Sequence, residues 1–564
     1  MSLRPDHAGT PLLIQWFKRF LGIIVPIIVV GAALVLSRPI SPRLIRSAPL
    51  AVWTASSLQR IGPTDPSGAE TRVQLFAALG ESESFQIVAG APDSNDIRGL
   101  NVAVSDLTGP AGQVISKSNF QLYREHYVYI GPNQGSANWH GSNQPLGPGW
   151  YPDGLIPFVD PSTGAPLSGA PLTAVPYDVP AGKNQPFWID ISVPRLAVPG
   201  QYTGTYTVRS RERIVSGQIL LKVWNFALPR QPSLVSSFLI SKSRNQATFK
   251  ELLRHRLMPD SVPQALQPEL IDEYGLGATS LNLWGGASYG HCSMAPPPPV
   301  ETIRKAASAQ HSSLLLYNYS ADEVDRCKEL FPAVKQWAQN LHAAGIMNLV
   351  TMGPIPQLFD DGSQSGRSAV DIWPILPDTY DSDLANVQRA LQKGDQVWSY
   401  NTEVQDAYSP KWEIDFAPIN FRIQPGFINQ SLHLTGLLYW CVDRWSADPW
   451  NDVVFKDGNG TFPGDGELVY PGSPVGVAGV VPSMRLKWLR DGVDDYDYIQ
   501  MLKQAGYGDW AMQIATGVGP DWTHWTRDPN VLEAARLKFG QMLDRLATQP
   551  NVQTARSGGD ARVH

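Results

Sequence analysis

From residue 236 onward the chain alternates between short apolar, β-branched or aromatic runs and longer stretches with apolar residues at helical spacing. This alternation restricts the possible folds more than any other feature. Strand-like runs fall at 236–241, 281–284, 314–317, 347–352, 395–400 and 435–442. Helical stretches fall at 249–257, 300–310 and 331–344, and 483–505 supplies a closing helix. Strands separated by helices pair in parallel, because a parallel connection needs a crossover. Repeated over 230–505, such units predict a (β/α)8-type TIM barrel within an α/β fold. The C-terminal ends of the strands are then where chemistry is expected.

At 564 residues the chain exceeds one ordinary domain. Residues 46–229 have the texture of an all-β sandwich domain, with runs at 73–76, 84–88 and 205–208 punctuated by Gly, Pro, Asn and Asp. Gly200 to Gly204 opens a hairpin that leads to a strand at 219–224. A Pro/Gly-rich excursion from 147 to about 186 reads as a long loop, functional or docked on a neighbour. Residues 228–232 read as a linker, 506–547 as a helical extension and 548–564 as a disordered tail.

Residues 1–45 hold a short cytoplasmic stub and a signal or anchor helix. The uncharged run at 20–36 (FLGIIVPIIVVGAALVL) follows Lys18 and Arg19 and reaches the short end of the membrane-spanning range. With no A-x-A cleavage site before Ser47, a retained transmembrane anchor with an extracytoplasmic body (periplasmic or extracellular) is expected. Secretion after cleavage is the alternative.

A net charge of −6 and the lack of a Lys/Arg block argue against nucleic acid as a partner. Only 17% of residues are charged, while 18 Trp, 19 Tyr, 49 Gly and 48 Pro suit a loop-rich enzyme or carbohydrate binder. Cys292, Cys327 and Cys441 are distant and odd in number, so they imply no disulfide framework. CxxC and HExxH are absent from the sequence, and neither metal nor cofactor is expected.

Four acid doublets occur: Asp272-Glu273, Asp322-Glu323, Asp360-Asp361 and Asp494-Asp495. Asp322-Glu323 differs from the others because a strand-like run feeds it. Two carboxyls at a strand end can be held in different protonation states, as glycoside cleavage requires. Consecutive strand residues face opposite ways, so both serve one substrate only if the strand ends at Ser320-Ala321. A loop pair capping the next helix is the plain reading. Tyr439, Trp440 and Trp445 cluster at another strand end, either as sugar-stacking surfaces or as barrel core. Trp373, Trp398 and Tyr400 lie near strand ends, and Trp284, Asp371, Asn401 and Glu403 are candidates for hydroxyl binding. Arg422, Arg485 and Arg490 read as structural ion-pair residues, and Asp494, Asp495 and Asp497 as the polar face of a helix. Trp150, Tyr151 and Asp153 are candidates to bring the sandwich to a cleft rim.

The order of these motifs resembles glycoside hydrolase family 123 and its related domains of unknown function. The resemblance runs through Asp322-Glu323, Asp371-Ile372-Trp373, 393–400 (KGDQVWSY), 436–440 (GLLYW), 466–472 (GELVYPG), 482–486 (PSMRL) and 489–498 (LRDGVDDYDY). The sandwich resembles the family's N-terminal domain at 83–86 (ESFQ), 150–153 (WYPD) and 200–204 (GQYTG).

The resemblance implies a β-N-acetylgalactosaminidase-like enzyme that retains configuration by substrate assistance. Asp322 would orient the acetamido group and Glu323 would act as acid/base. Its partner would be a glycan, as oligosaccharide or glycolipid, with the membrane reached through the N-terminal helix. Many relatives carry Pro after the pair, whereas Val324 follows here, which bears on the turn that poses Glu323. Two other readings stay open: a glycosidase of different sugar specificity with Glu403 or Asp371 as nucleophile, and a catalytically silent carbohydrate-binding envelope protein.

Overall fold

The computed structural model describes residues 50–548, apart from 138, 142, 168, 404 and 405. The apolar run at 20–36 and the tail at 549–564 lie outside the described residues. Among the described residues, no helix is long and apolar enough to cross a membrane. The fold is mixed α/β, with a β-rich N-terminal region and a nearly closed parallel barrel.

The N-terminal region consists of two sheets. One is antiparallel, in the order Ala51–Ser56, Ser82–Gly90, Asn184–Ser192, Phe120–Ile130, Gly149–Pro157. The other runs Arg72–Leu79, Ile214–Ala227, Gly200–Arg209, Ile97–Val104, Tyr177–Val179, and its first pair is parallel. Alternate residues such as Ile87, Ile189, Tyr206 and Leu221 pack into one core. The expected hairpin is present, pairing Gly200–Arg209 with Ile214–Ala227.

The expected long loop at 147–186 is a correction, because that stretch contributes two strands, Gly149–Pro157 and Tyr177–Val179. The loop between those two strands does dock on a neighbour, Leu172 N–H donating to Pro474 O at 3.0 Å, and Ser136, Ala137 and Leu146 dock as well. Ser136 N–H donates to Asp415 Oδ2 at 2.8 Å, Leu146 N–H to the Asp415 carbonyl at 2.7 Å and Ala137 N–H to the Thr461 carbonyl at 2.9 Å.

The barrel strands are β1 Val235–Phe238, β2 Ala278–Ser280, β3 Leu315–Asp322, β4 Met347–Thr351, β5 Ile372–Ile375, β6 Gln396–Asn401 and β7 Gly436–Tyr439. Their spatial order is β1-β7-β6-β5-β4-β3-β2, with every pair parallel. Residues 258–260 join the two edges: Asp260 N–H donates to Phe238 O at 3.0 Å and Ser280 N–H to Asp260 O at 3.0 Å. The run at 281–284, expected as a strand, is the loop leaving β2. Tyr317, Leu349, Ile372, Trp398 and Leu438 fill the interior, and Trp398 fits because Gly436 opposite it has no Cβ to strike the indole. Outward residues such as Ala321, Val350, Trp373 and Val397 pack under the helices.

The closing helix Met484–Gln504 is buried along most of its length, charged residues included. Asp494, Asp495 and Asp497 therefore do not form a solvated face. Arg256 pairs with Asp494 and Asp497, while Arg422 and Arg536 pair with Asp495. Burial alone would push Asp190 up, but the Lys487 and Arg490 cations outweigh it and hold this sandwich carboxylate far below its usual range.

Arg485, also fully buried, donates from Nε and Nη2 to Asp153 at 2.9 Å each and from Nη1 to Gly464 O at 2.6 Å. The three arginines are structural, as expected. Asp153 is fully buried and Tyr151 nearly so, so of the three residues expected at a cleft rim only Trp150 is exposed. Breaking one side of such a pair leaves an uncompensated buried charge. Arg485→Met is expected to cost about 3–5 kcal/mol in urea unfolding. An unchanged midpoint would contradict this role.

Candidate active site

The acid pair stands at the C-terminal end of β3, and a local irregularity places it. Tyr319 lies opposite Leu349 and Asp322 opposite Thr351, so β3 carries one more residue than β4 across this interval. Regular alternation would put Asp322 on the face opposite Tyr319. The bulge at Ser320 restores them to the same side. Ala321 then packs outward in the core, and Asp322 meets Tyr319 Oη and Thr351 Oγ1, which donate to its Oδ1 at 2.6 and 2.7 Å.

The strand does not end before the pair, as the sequence suggested. It runs through Asp322, and the bulge performs the reorientation instead. Glu323 follows with φ +48°, a left-handed conformation that breaks the alternation once more, and its N–H donates to Thr351 O at 2.8 Å. Val324, where many relatives carry Pro, is fully buried in the core and anchors this turn.

Both acids are half-buried. Burial, then the charge of Asp322, then those of Glu403 and Asp325, push Glu323 up to about 7 against the opposing Arg326. A carboxyl so poised is protonated in a large fraction of molecules near neutrality, as a general acid requires. Tyr400 lies inside the barrel on β6. Burial and the charges of Asp322, Glu323, Glu403 and Asp465 raise its phenol well above 10, so it is a neutral donor.

Across the site, Asp465 is buried and pushed well up by burial and by Glu403 and Glu413, and it shares a hydrogen bond with Glu403. Trp440 Nε1–H donates to Asp465 Oδ2 at 2.9 Å, and Tyr439 Oη donates to Oδ1 at 3.2 Å. Gly466 (φ +70°) has no Cβ, which would fall 2.6 Å from the Trp440 ring. On the other side Trp284, 49% exposed, meets Tyr319 edge-to-face at 5.8 Å.

The structure therefore brings together Asp322, Glu323, Tyr400, Trp440 and Trp284. Other expected residues stand elsewhere. Asp371 precedes β5 at the opposite, N-terminal end of the barrel, held by His342 Nε2 (2.9 Å), Asn348 N–H (2.7 Å) and Arg367 Nε (2.7 Å). Trp373 faces outward into the helical core, and Trp398 is a buried interior residue beneath Tyr400. Tyr439 is also fully buried, and it steadies Asp465 and the Gly466 N–H. Trp445 is pinned by its Nε1 to Val469 O at 2.7 Å.

Sequence reasoning missed Tyr319, Thr351 and Asp465, for which no spacing signal exists without the bulge and the register. It also missed a disulfide between Cys292 and Cys327, with Cα atoms 5.3 Å apart. The bridge ties the loop carrying Trp284 to the turn just after Glu323. The expectation of no disulfide fails because the two cysteines, 35 residues apart in sequence, meet only through the β2–β3 pairing.

A parallel barrel that holds a raised acid beside an anchored carboxylate, with aromatic side chains flanking both, presents the type of site that glycoside hydrolases use. Comparison with known proteins agrees. Residues 54–210 match the family model for the glycoside hydrolase 123 N-terminal domain, and residues 368–502 match that for the glycoside hydrolase 123 catalytic domain. The chain belongs to glycoside hydrolase family 123. The catalytic match begins downstream of Asp322 and Glu323, so those two rest on geometry.

A family 123 glycoside hydrolase from Clostridium perfringens, described in terms of glycolipid glycan hydrolysis, shares the fold. Its TM-score is 0.61 at 12% identity, over 89% of this chain and 100% of that one. A Parabacteroides merdae β-glucuronidase aligns at TM-score 0.25 and 10% identity, over 80% of this chain and 51% of that one, too low to carry weight. The search of curated proteins finds no match.

Two outcomes test this geometry. Tyr319→Phe removes one donor to Asp322 and is expected to lower kcat/KM about 10- to 100-fold, the worth of a hydrogen bond to a charged group. Unchanged kinetics would deny the bond a role. Reducing the disulfide, or replacing both cysteines by Ser, is expected to lower stability by about 2–4 kcal/mol, read as a fall in Tm. An unmoved Tm would contradict the tie.

Proposed function

We propose that this glycoside hydrolase removes terminal β-linked N-acetylhexosamine, N-acetylgalactosamine foremost, with retention and by substrate assistance. The observation that carries the reading is the pair itself: an Asp322 fixed by two hydroxyl donors beside a Glu323 raised to about 7. Both donors address Oδ1, so Oδ2 is available to accept the acetamido N–H and orient that group. The acetamido oxygen attacks the anomeric carbon, the glycosidic bond breaks, and Glu323 gives its proton to the leaving oxygen. Asp322 stabilises the positive charge that develops on the oxazolinium-like intermediate. Water then attacks the anomeric carbon, giving its proton to Glu323 and restoring the starting state. Tyr400, as a neutral donor, suits the acetamido carbonyl.

An enzyme-supplied nucleophile is less well supported. Asp371 lies at the far end of the barrel, and Glu403 is already engaged by Thr402 and Asp465. We also propose that the enzyme acts outside the cytoplasm, tethered through the run at 20–36, on oligosaccharide or glycolipid. The disulfide supports an oxidising compartment.

Hydrolysis of chromogenic β-GalNAc and β-GlcNAc substrates tests the activity. Glu323→Gln is expected to lower kcat by about 10²–10⁴-fold for a natural leaving group. The acid must be protonated to act, so kcat/KM of the wild type should fall as pH rises through about 7. Cleavage of neither substrate, or an unaffected Glu323→Gln variant, would end the proposal.

A further inference from the structure

We infer that Glu403, braced by Asp465, is the carboxylate that binds the hydroxyl edge of the sugar remote from the anomeric carbon, and that it thereby sets specificity between galacto and gluco substrates. This rests on the hexosaminidase reading above and assigns it a residue that the acid pair does not provide.

Glu403 lies two residues beyond Asn401, the end of β6, and three beyond the inward Tyr400. It is half-buried. Thr402 Oγ1 donates to its Oε2, and the buried Asp465 carboxyl shares a hydrogen bond with it. Asp465 in turn receives the Trp440 indole N–H at 2.9 Å and the Tyr439 hydroxyl at 3.2 Å. One buried acid thus fixes both a carboxylate and the plane of a half-exposed indole beside it.

That combination suits a pyranose. The apolar C–H face of the ring stacks on Trp440, and the hydroxyls at its edge point sideways toward the Glu403 carboxylate, whose oxygens can each accept more than one hydrogen bond. Tyr319, which holds Asp322, and Trp440, which is held by Asp465, pack on the same interior cluster as Tyr400. Glu403 and the acid pair therefore stand at the same end of the barrel, and the charge of Glu403 acts on both Glu323 and Tyr400. With the acetamido group at Asp322 and the leaving oxygen at Glu323, the C3–C4 edge is the part of the sugar left for Glu403. Epimers at C4 differ there in the direction of one hydroxyl, and a fixed carboxylate distinguishes such directions because a misdirected donor leaves it unpaired.

The test is steady-state kinetics of Glu403→Gln on paired chromogenic β-GalNAc and β-GlcNAc substrates. KM for the preferred substrate is expected to rise about 10- to 100-fold, the loss of a hydrogen bond to a charged acceptor, with kcat within about threefold and the preference between epimers reduced. Glu403→Asp, which withdraws the carboxylate by one methylene while keeping its charge, is expected to raise KM in the same direction and serves if the Gln variant does not fold. A collapse of kcat with KM unchanged would make Glu403 part of the chemistry and overturn the inference. Unchanged KM and preference in a folded variant would overturn it as well. If the wild type cleaves neither substrate, the underlying reading fails first, so the two failures are distinguishable.

Discussion

The buried ion pair between Asp153 and Arg485 holds the two halves of this protein in register. Asp153 belongs to an edge strand of the sandwich and Arg485 to the first turn of the closing helix, and neither side chain is exposed to water. The same guanidinium reaches the carbonyls of Gly464 and Glu467, which flank Asp465. A chain of contacts therefore runs from the sandwich, through Arg485, to the turn that presents Asp465, and from there to Trp440 and Glu403. Charges removed from water at such cost persist where their geometry is tightly satisfied, and here that geometry sets one side of the cleft. The N-terminal sheets act as a brace on which the position of the site depends.

The opposite side of the cleft depends on backbone irregularity. One extra residue at Ser320 brings Asp322 to the barrel interior, and one left-handed residue at Glu323 keeps the next carboxyl near it. Asn318 reinforces the arrangement from outside, its Oδ1 accepting from Leu283 N–H at 2.9 Å and its Nδ2 donating to Leu283 O at 2.8 Å. The loop bearing Trp284 is thus attached to β3 by side chain, by backbone and by disulfide. Departures from ideal strand geometry concentrate where two adjacent acids must take different roles, a common location for them.

The periodicity of the sequence made the barrel legible, since apolar spacing switches between two and three or four residues at each strand–helix junction. Two strands escaped it. β2 was displaced, because its three residues, Ala278–Ser280, are too few to show alternation and the apolar run after them is more conspicuous. β5, Ile372–Ile375, was not read as a strand, and the sheet has seven strands among the described residues where eight were expected. Asp322 and Glu323 were legible from their position after a strand, while the means of aiming them was not, because a bulge leaves no mark in composition. Asp371 misled because β5, the strand it directly precedes, was not read as a strand, so its place at the N-terminal end of the barrel went unseen. The aromatic residues divided by side of strand, Trp398 and Tyr400 inward and Trp373 outward, a distinction that depends on register. The Asp494–Asp497 cluster looked like a solvated face because the arginines that neutralise it, Arg256, Arg422 and Arg536, come from distant parts of the chain.

The central claim is that the sugar's own acetamido oxygen, aimed by Asp322, supplies the nucleophile. It is tested most directly by kcat/KM for a series of chromogenic β-GalNAc substrates whose N-acetyl group carries zero, one, two or three fluorine atoms. Each fluorine withdraws electron density from the attacking oxygen. A steep, monotonic fall across the series is the predicted result. A flat response in an active enzyme would mean that the nucleophile comes from the protein or from water, and would contradict the account.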